Sequence, residues 1–139
     1  MTITAPSGAV VLIAEDDPVV ALDLCMSVER AGFGIAGPYA FVSHALATMD
    51  EIKPDYALID VELADDRSIP LAERLAMRGI PFAFVTSRFD LVREAGYADI
   101  PCIPRPFTDE DIVPVLTRFI STAPGLLGAE TETTGTIET

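Results

Sequence analysis

Three acids in a row, Glu15-Asp16-Asp17, follow the apolar run Val10–Ala14, and a further acid, Asp60, follows the apolar run Tyr56–Ile59. Thr86 closes a third such run, Pro81–Val85, and Arg105 stands between two prolines after a fourth, Ile100–Ile103. Carboxylates gathered a few Å apart repel by about 4 kcal/mol per pair at an effective dielectric near 20. A fold that converges them therefore needs protons, a basic side chain or a metal to neutralise them. An all-oxygen donor set with open positions suits Mg²⁺, which keeps several waters and takes phosphate oxygens as co-ligands. Beside such an ion a carboxylate is a competent nucleophile toward phosphorus. The transferring phosphoryl group then needs donors and positive charge at its equatorial oxygens, and the Thr86 hydroxyl and Arg105 guanidinium are residue types that supply them. Taken singly these positions are commonplace: strand-end acids are often helix caps, and Asp17 ahead of Pro18 reads as one. Four matched chemistries at four strand ends are the informative feature.

The elements that must position them follow from the pattern of apolar residues. Val10–Ala14 is a continuous β-branched run, as in a parallel strand buried on both faces. After the Asp17-Pro18 cap, Val20, Leu24, Val28 and Ala31 repeat at helical spacing until Gly32. Gly34–Tyr39, interrupted by Gly37-Pro38, reads as an edge strand. Ser43–Ile52 is helical, with Ala45, Leu46, Met49 and Ile52 as its stripe. Tyr56–Ile59 is the next strand, and the acidic loop around Asp65-Asp66-Arg67 reads as solvated. Helix from about Pro70 to Arg78, strand Pro81–Val85, short helix Asp90–Ala95, strand Ile100–Ile103 and a last helix to about Thr122, capped by Thr108 or Asp109, complete the series. Alternating strands and helices give a (βα)5 α/β domain with a parallel sheet covered on both faces. Right-handed crossovers favour the flavodoxin-like strand order 2-1-3-4-5, whose functional crevice lies beyond the carboxyl ends of the strands. Residues 1–8 read as a flexible leader, 9–122 as the domain and 123–139 as a polar, aperiodic, disordered tail.

Twenty-two acids against nine Lys and Arg give a net charge of −13. Such a surface repels phosphate backbones, so direct nucleic-acid binding is not expected. No secretory signal or membrane-spanning run is visible, so a cytoplasmic location is expected. Cys25 and Cys102 have neither CxxC nor metal-type spacing and read as reduced core residues. His44, the only histidine, reads as a surface residue, and Phe82, Phe84 and Phe107 as core.

The segments Val-Leu-Ile-Ala-Glu-Asp-Asp (11–17), Asp-Tyr-Ala-Leu-Ile-Asp (55–60), Pro-Phe-Ala-Phe-Val-Thr-Ser (81–87) and Pro-Arg-Pro-Phe (104–107) together resemble a CheY-like response-regulator receiver domain, from about Val10 to Ile120. By that resemblance Asp60 is the phosphoacceptor. Glu15, Asp16, Asp60 and the backbone carbonyl of Glu62 hold Mg²⁺, Thr86 contacts the phosphoryl group, and Arg105 takes the place of the family's lysine. The Arg105–Pro106 bond is expected to be cis. The phosphodonor would be a histidine kinase or a histidine phosphotransfer protein, and output would pass to an unidentified protein partner. With Arg78-Gly-Ile-Pro-Phe-Ala-Phe-Val-Thr, the chain further resembles stand-alone alphaproteobacterial receivers that carry Pro-Phe-x-Phe-x-Thr-Gly-Tyr, some of which serve general stress-response phosphorelays.

Three departures stand out. Arginine is a planar fork where lysine is a compact point charge, so Arg105 sits differently against a phosphate or pairs with the acids at rest. Cys102 occupies the position of the aromatic switch residue, and Ser87-Arg88 replaces Gly-Tyr. They motivate a second reading, a degenerate receiver that binds partners without phosphorylation. Enzyme readings fare worse. Asp60-Val-Glu62 faintly resembles the Asp-x-Asp of haloacid-dehalogenase-type phosphatases, but those place the nucleophile after their first strand. A flavodoxin-type cofactor protein is disfavoured, because three acids that would repel an FMN phosphate stand where its phosphate loop would be. The expected protein is a single-domain signalling module, not an enzyme.

Overall fold

The computed structural model describes residues 4–122. Its elements are β1 (Val10–Ala14), α1 (Pro18–Arg30), β2 (Gly34–Tyr39), α2 (Val42–Glu51), β3 (Tyr56–Ile59), α3 (Ile69–Met77), β4 (Phe82–Val85), α4 (Phe89–Glu94), β5 (Cys102–Ile103) and α5 (Asp109–Thr122). The sheet has the order β2-β1-β3-β4-β5, with every pair parallel. This is the flavodoxin-like (βα)5 arrangement expected from the alternation.

Successive side chains on a strand point to opposite faces, and here both faces are covered. Leu12, Ala14, Ala57, Ile59, Phe82 and Phe84 face Val42, Ala45 and Met49 of α2, Leu71 and Leu75 of α3, and Leu91 and Val92 of α4. Val11, Ile13, Tyr56, Leu58, Ala83, Val85 and Ile103 face Leu24 and Val28 of α1 and Ile112, Leu116 and Phe119 of α5. This is why β1, β3 and β4 read as unbroken apolar runs. Each fully buried large side chain contributes about 1.5–3 kcal/mol of hydrophobic stabilisation.

Edge strand β2 shifts register against β1 between Leu12 and Ala14. Gly37 sits at that irregularity with φ +113°, preceding a cis bond to Pro38. A Cβ there would lie 2.6 Å from the Ile13 carbonyl oxygen, so glycine is required by both conformation and space.

Several local expectations are corrected by tertiary packing. In α1 the fully buried residues are Ala21, Leu24, Ser27 and Val28, while Val20 and Ala31 are only half-buried. Buried Ser27 is satisfied by donating to Asp109 Oδ1 of α5 at 2.5 Å. α2 begins at Val42 and ends before Ile52, which is 45% exposed outside the stripe. Ile100 and Pro101 precede β5, which keeps only Cys102 and Ile103. The Asp65-Asp66-Arg67 loop is exposed as expected, and within it the Asp65 carboxylate accepts from the backbone N–H groups of Val42 and Ser43 at 2.7 and 3.3 Å, capping α2 from across the loop. Both cysteines are free and half-buried, and His44 is exposed beside the Phe41 ring. Phe82 and Phe84 are core residues and Phe107 packs against the α1–α5 side. The proposed tail, 123–139, and the first three leader residues lie outside the described residues.

Candidate functional site

β1 and β3 are neighbours in register, with Ala14 opposite Ile59, so the next residues of each, Glu15 and Asp60, emerge side by side. The backbone fixes both: Asp60 N–H donates to the Ala14 carbonyl at 2.9 Å and Glu15 N–H to the Tyr39 carbonyl at 2.9 Å. On the other flank Thr86 follows β4, its N–H donating to the Ile103 carbonyl of β5 at 2.9 Å. Arg105 follows two residues after β5 and is joined to Pro106 by a cis bond, as expected. Four strand ends thus deliver the four chemistries to one place.

The site is sunk in the domain. Glu15 is 2% exposed, Asp60 3% and Thr86 fully buried, whereas Asp16 stands at the solvent side. Arg105 Nη1 lies 3.3 Å from each Glu15 carboxylate oxygen and 3.4 Å from Asp60 Oδ2. Asp17 is the cap of α1, accepting from Val19 and Val20 N–H groups, and its own N–H donates to Glu15 Oε2 at 3.1 Å. Glu62 N–H donates to Asp60 Oδ1 at 3.3 Å.

Burial dominates the electrostatics. It pushes the Glu15 carboxyl up to about 7, with the Asp60 and Asp16 charges adding to the rise and the Asp17 N–H and Arg105 opposing it. Asp60 is raised for the same leading reason, against the stabilising pull of Arg105, the Glu62 and Val61 N–H groups and the Thr86 hydroxyl. The Thr86 hydroxyl accepts the Arg88 N–H at 3.0 Å. Its single proton is therefore directed away from that amide and available to an acceptor on the Asp60 side.

Among the described residues Glu15, Asp16 and Asp60 each offer a carboxylate oxygen lying within 4.8 Å of the others. Ligand oxygens on an octahedral Mg²⁺ at ~2.1 Å are at most about 4.2 Å apart, so small side-chain rotations close the set. The donors are all oxygen, two are buried acids that share a single guanidinium, and one edge is open to water. A hard divalent cation fits this chemistry. Each of Glu15, Asp16, Asp60, Thr86 and Arg105 is therefore where the strand-end pattern put it, and Glu62 adjoins Asp60 through its backbone.

Three contributors were not legible as site residues. Ser68, fully buried, donates its hydroxyl to the Asp60 backbone carbonyl at 2.6 Å, and its N–H to the Val61 carbonyl at 2.9 Å. It sits at the N-cap position of α3 but makes no side-chain cap bond, so a reading by local rules assigns it to the helix. Ser87 Oγ donates to the Arg105 carbonyl at 3.3 Å. Arg88 pairs with Asp90 at 3.0 Å and approaches Glu62 Oε1 at 3.6 Å, placing a second guanidinium at the rim. For Ser68 the only advance signal was proximity in sequence to Asp60, whereas Ser87-Arg88 had stood out only as a departure beside Thr86.

No protein-family model matches the sequence. The chain is 30% identical over 115 residues to the transcriptional regulatory protein PdtaR of Mycobacterium tuberculosis; the match covers 80% of this chain and spans only 56% of that protein. It is 31% identical to SdrG from Sphingomonas melonis Fr1, whose solution structure aligns over 84% of this chain and 99% of that one with a TM-score of 0.73. The response-regulator receiver domain of PhyR from Erythrobacter litoralis shares the fold at 23% identity, with a TM-score of 0.75 over 93% of this chain and 97% of that one. The fold and site define an α/β acidic-pocket domain, and the chain belongs to the response-regulator receiver family of two-component signalling systems.

Proposed function

We propose that the chain is a phosphorylation-dependent signalling switch that accepts a phosphoryl group on Asp60 from a phosphohistidine of a kinase or phosphotransfer protein. The observation that carries this reading is the convergence on buried Asp60 of Glu15 and Asp16 from β1, Thr86 from β4 and Arg105 from β5. In the step, an Asp60 oxygen bonds to phosphorus as the phosphorus–nitrogen bond of the donor breaks and its imidazole leaves. Glu15, Asp16, Asp60 and the Glu62 carbonyl would hold Mg²⁺, which when bound offsets the carboxylate charge and that of the phosphoryl oxygens. Thr86 donates its hydroxyl proton to one phosphoryl oxygen, and Arg105 offers its guanidinium to another. The acceptor is consumed once per event, so the protein acts as a switch and not as a catalyst with turnover.

Downstream, the buried Thr86 and its loop partner Arg88 connect the site to the start of α4. A phosphoryl group that recruits the Thr86 hydroxyl reorders that loop and shifts the population recognised by a protein partner. The −13 net charge argues for a protein and not a nucleic-acid target. We place the switch in the cytoplasm; among the described residues no helix is long and apolar enough to cross a membrane. The Pro-Phe-x-Phe-x-Thr segment 81–86 supports membership of the stand-alone alphaproteobacterial-type subgroup.

The test is incubation with acetyl phosphate and MgCl₂ followed by intact-mass measurement. One phosphoryl adduct is expected on the native chain and none on Asp60→Ala; an adduct that survives the substitution refutes the assignment. The pairing of Arg105 with both Glu15 and Asp60 favours a second reading, constitutive partner binding by an unphosphorylated domain. Absence of any adduct on the folded native chain would select it.

A further inference from the structure

Arg105 Nη1 is shared among three oxygens, both of Glu15 and one of Asp60, at 3.3–3.4 Å. Glu15 and Asp60 are also two of the three carboxylates whose oxygens converge within 4.8 Å. Both acids are buried, so ionising them without a neighbouring cation is costly. The guanidinium thus does at rest what a divalent ion would do, on the same two carboxylates. A hydrogen-bonded guanidinium and a coordinated ion cannot use one carboxylate oxygen in the same direction at once.

We propose that Arg105 is a built-in competitor of the divalent cation, released from Glu15 and Asp60 when the ion binds. The inference rests on Glu15, Asp16 and Asp60 being the metal ligands. Its consequence extends beyond affinity. The Arg105 carbonyl accepts the Ser87 hydroxyl at 3.3 Å, and Ser87 lies between Thr86 and Arg88 in the loop after β4. Arg105 is thus tied at its backbone to the loop after β4 and at its side chain to the acids, so release of the guanidinium by the ion frees one of its two anchors. Arginine suits this role because its planar fork reaches two acids together and never loses its charge.

Calorimetric titration of MgCl₂ into the unphosphorylated full chain, at constant ionic strength, reads the competition directly. Arg105→Gln is expected to bind Mg²⁺ about tenfold more tightly, a coupling of ordinary size for two ligands of one site. Unchanged or weaker affinity overturns the proposal, and so does a lack of binding to both proteins. Should Arg105→Gln need the metal to fold, the native chain supplies the second measurement. In ¹⁵N spectra the Arg105 guanidinium resonances are expected to shift and lose exchange protection as Mg²⁺ is added; resonances that stay put at saturation overturn it. Neither readout involves phosphoryl transfer. A chain that takes phosphate on Asp60 but shows no Arg105 effect refutes this inference alone, and one that shows the effect without an adduct refutes only the phosphoacceptor reading.

Discussion

At the scale of single residues, the controlling quantity is the cost of ionising two acids in one pocket. Glu15 has its folded carboxyl raised from 4.5 to about 7, chiefly by burial. Between those values the folded chain holds a proton that the unfolded chain has released, so stability falls as pH rises through the window. The contribution is absent below pH 4.5 and complete above 7; a shift of this size corresponds to roughly 3 kcal/mol. Asp60, raised for the same reason, adds to the slope. Urea unfolding in the presence of EDTA should therefore show a chain more stable at pH 5.5 than at pH 8, with a flatter profile in Glu15→Gln. A native profile that rises over the interval contradicts this description of the pocket.

Among the elements, the ties between neighbouring segments hold Asp60. Asp60 is positioned by the β1 backbone on one side and by the Ser68 hydroxyl at the head of α3 on the other. Ser68→Ala removes a buried hydrogen bond and should cost about 1–2 kcal/mol. It should also slow acetyl-phosphate labelling at substrate saturation, because the β3–α3 turn that aims the carboxylate loosens. Normal labelling in a destabilised Ser68→Ala chain would leave the residue a purely structural role. Asp65 shows the same principle: an acid of one loop caps α2, whose own N-cap residue is Phe41 and supplies no side-chain acceptor. The element depends on a partner more than twenty positions away in sequence.

For the molecule as a whole, the sheet separates two cores that, among the described residues, share no buried side chain. Leu75 of α3 belongs to one and Leu116 of α5 to the other, and both are fully buried. Truncation to alanine should cost about 2–5 kcal/mol at either position. The double variant should lose the sum to within about 0.5 kcal/mol, since neither cavity touches the other's lining. Chemical denaturation of the three variants checks this; strong non-additivity would mean that the sheet transmits packing changes between its faces.

The architecture was legible because its signals are local. Apolar runs of four or five residues announced β1, β3 and β4, and Asp17-Pro18 and Gly79 marked where helices begin and end. In a parallel sheet every strand points its carboxyl end the same way, so Glu15, Asp60, Thr86 and Arg105 gather at one end of the sheet, and the sequence itself determined which chemistries meet. It did not determine how they pair. Whether Arg105 turns toward open solvent or onto Glu15 depends on how deeply burial has stripped those acids of water. The assignments of Ser68 to Asp60, of Asp65 to α2 and of Ser27 to Asp109 likewise join residues that no spacing rule relates. Tertiary structure decided these because a polar side chain goes where an unsatisfied partner remains after the core has packed. The apolar pattern fixes the packing, but the leftover donors and acceptors are known only once every segment is in place.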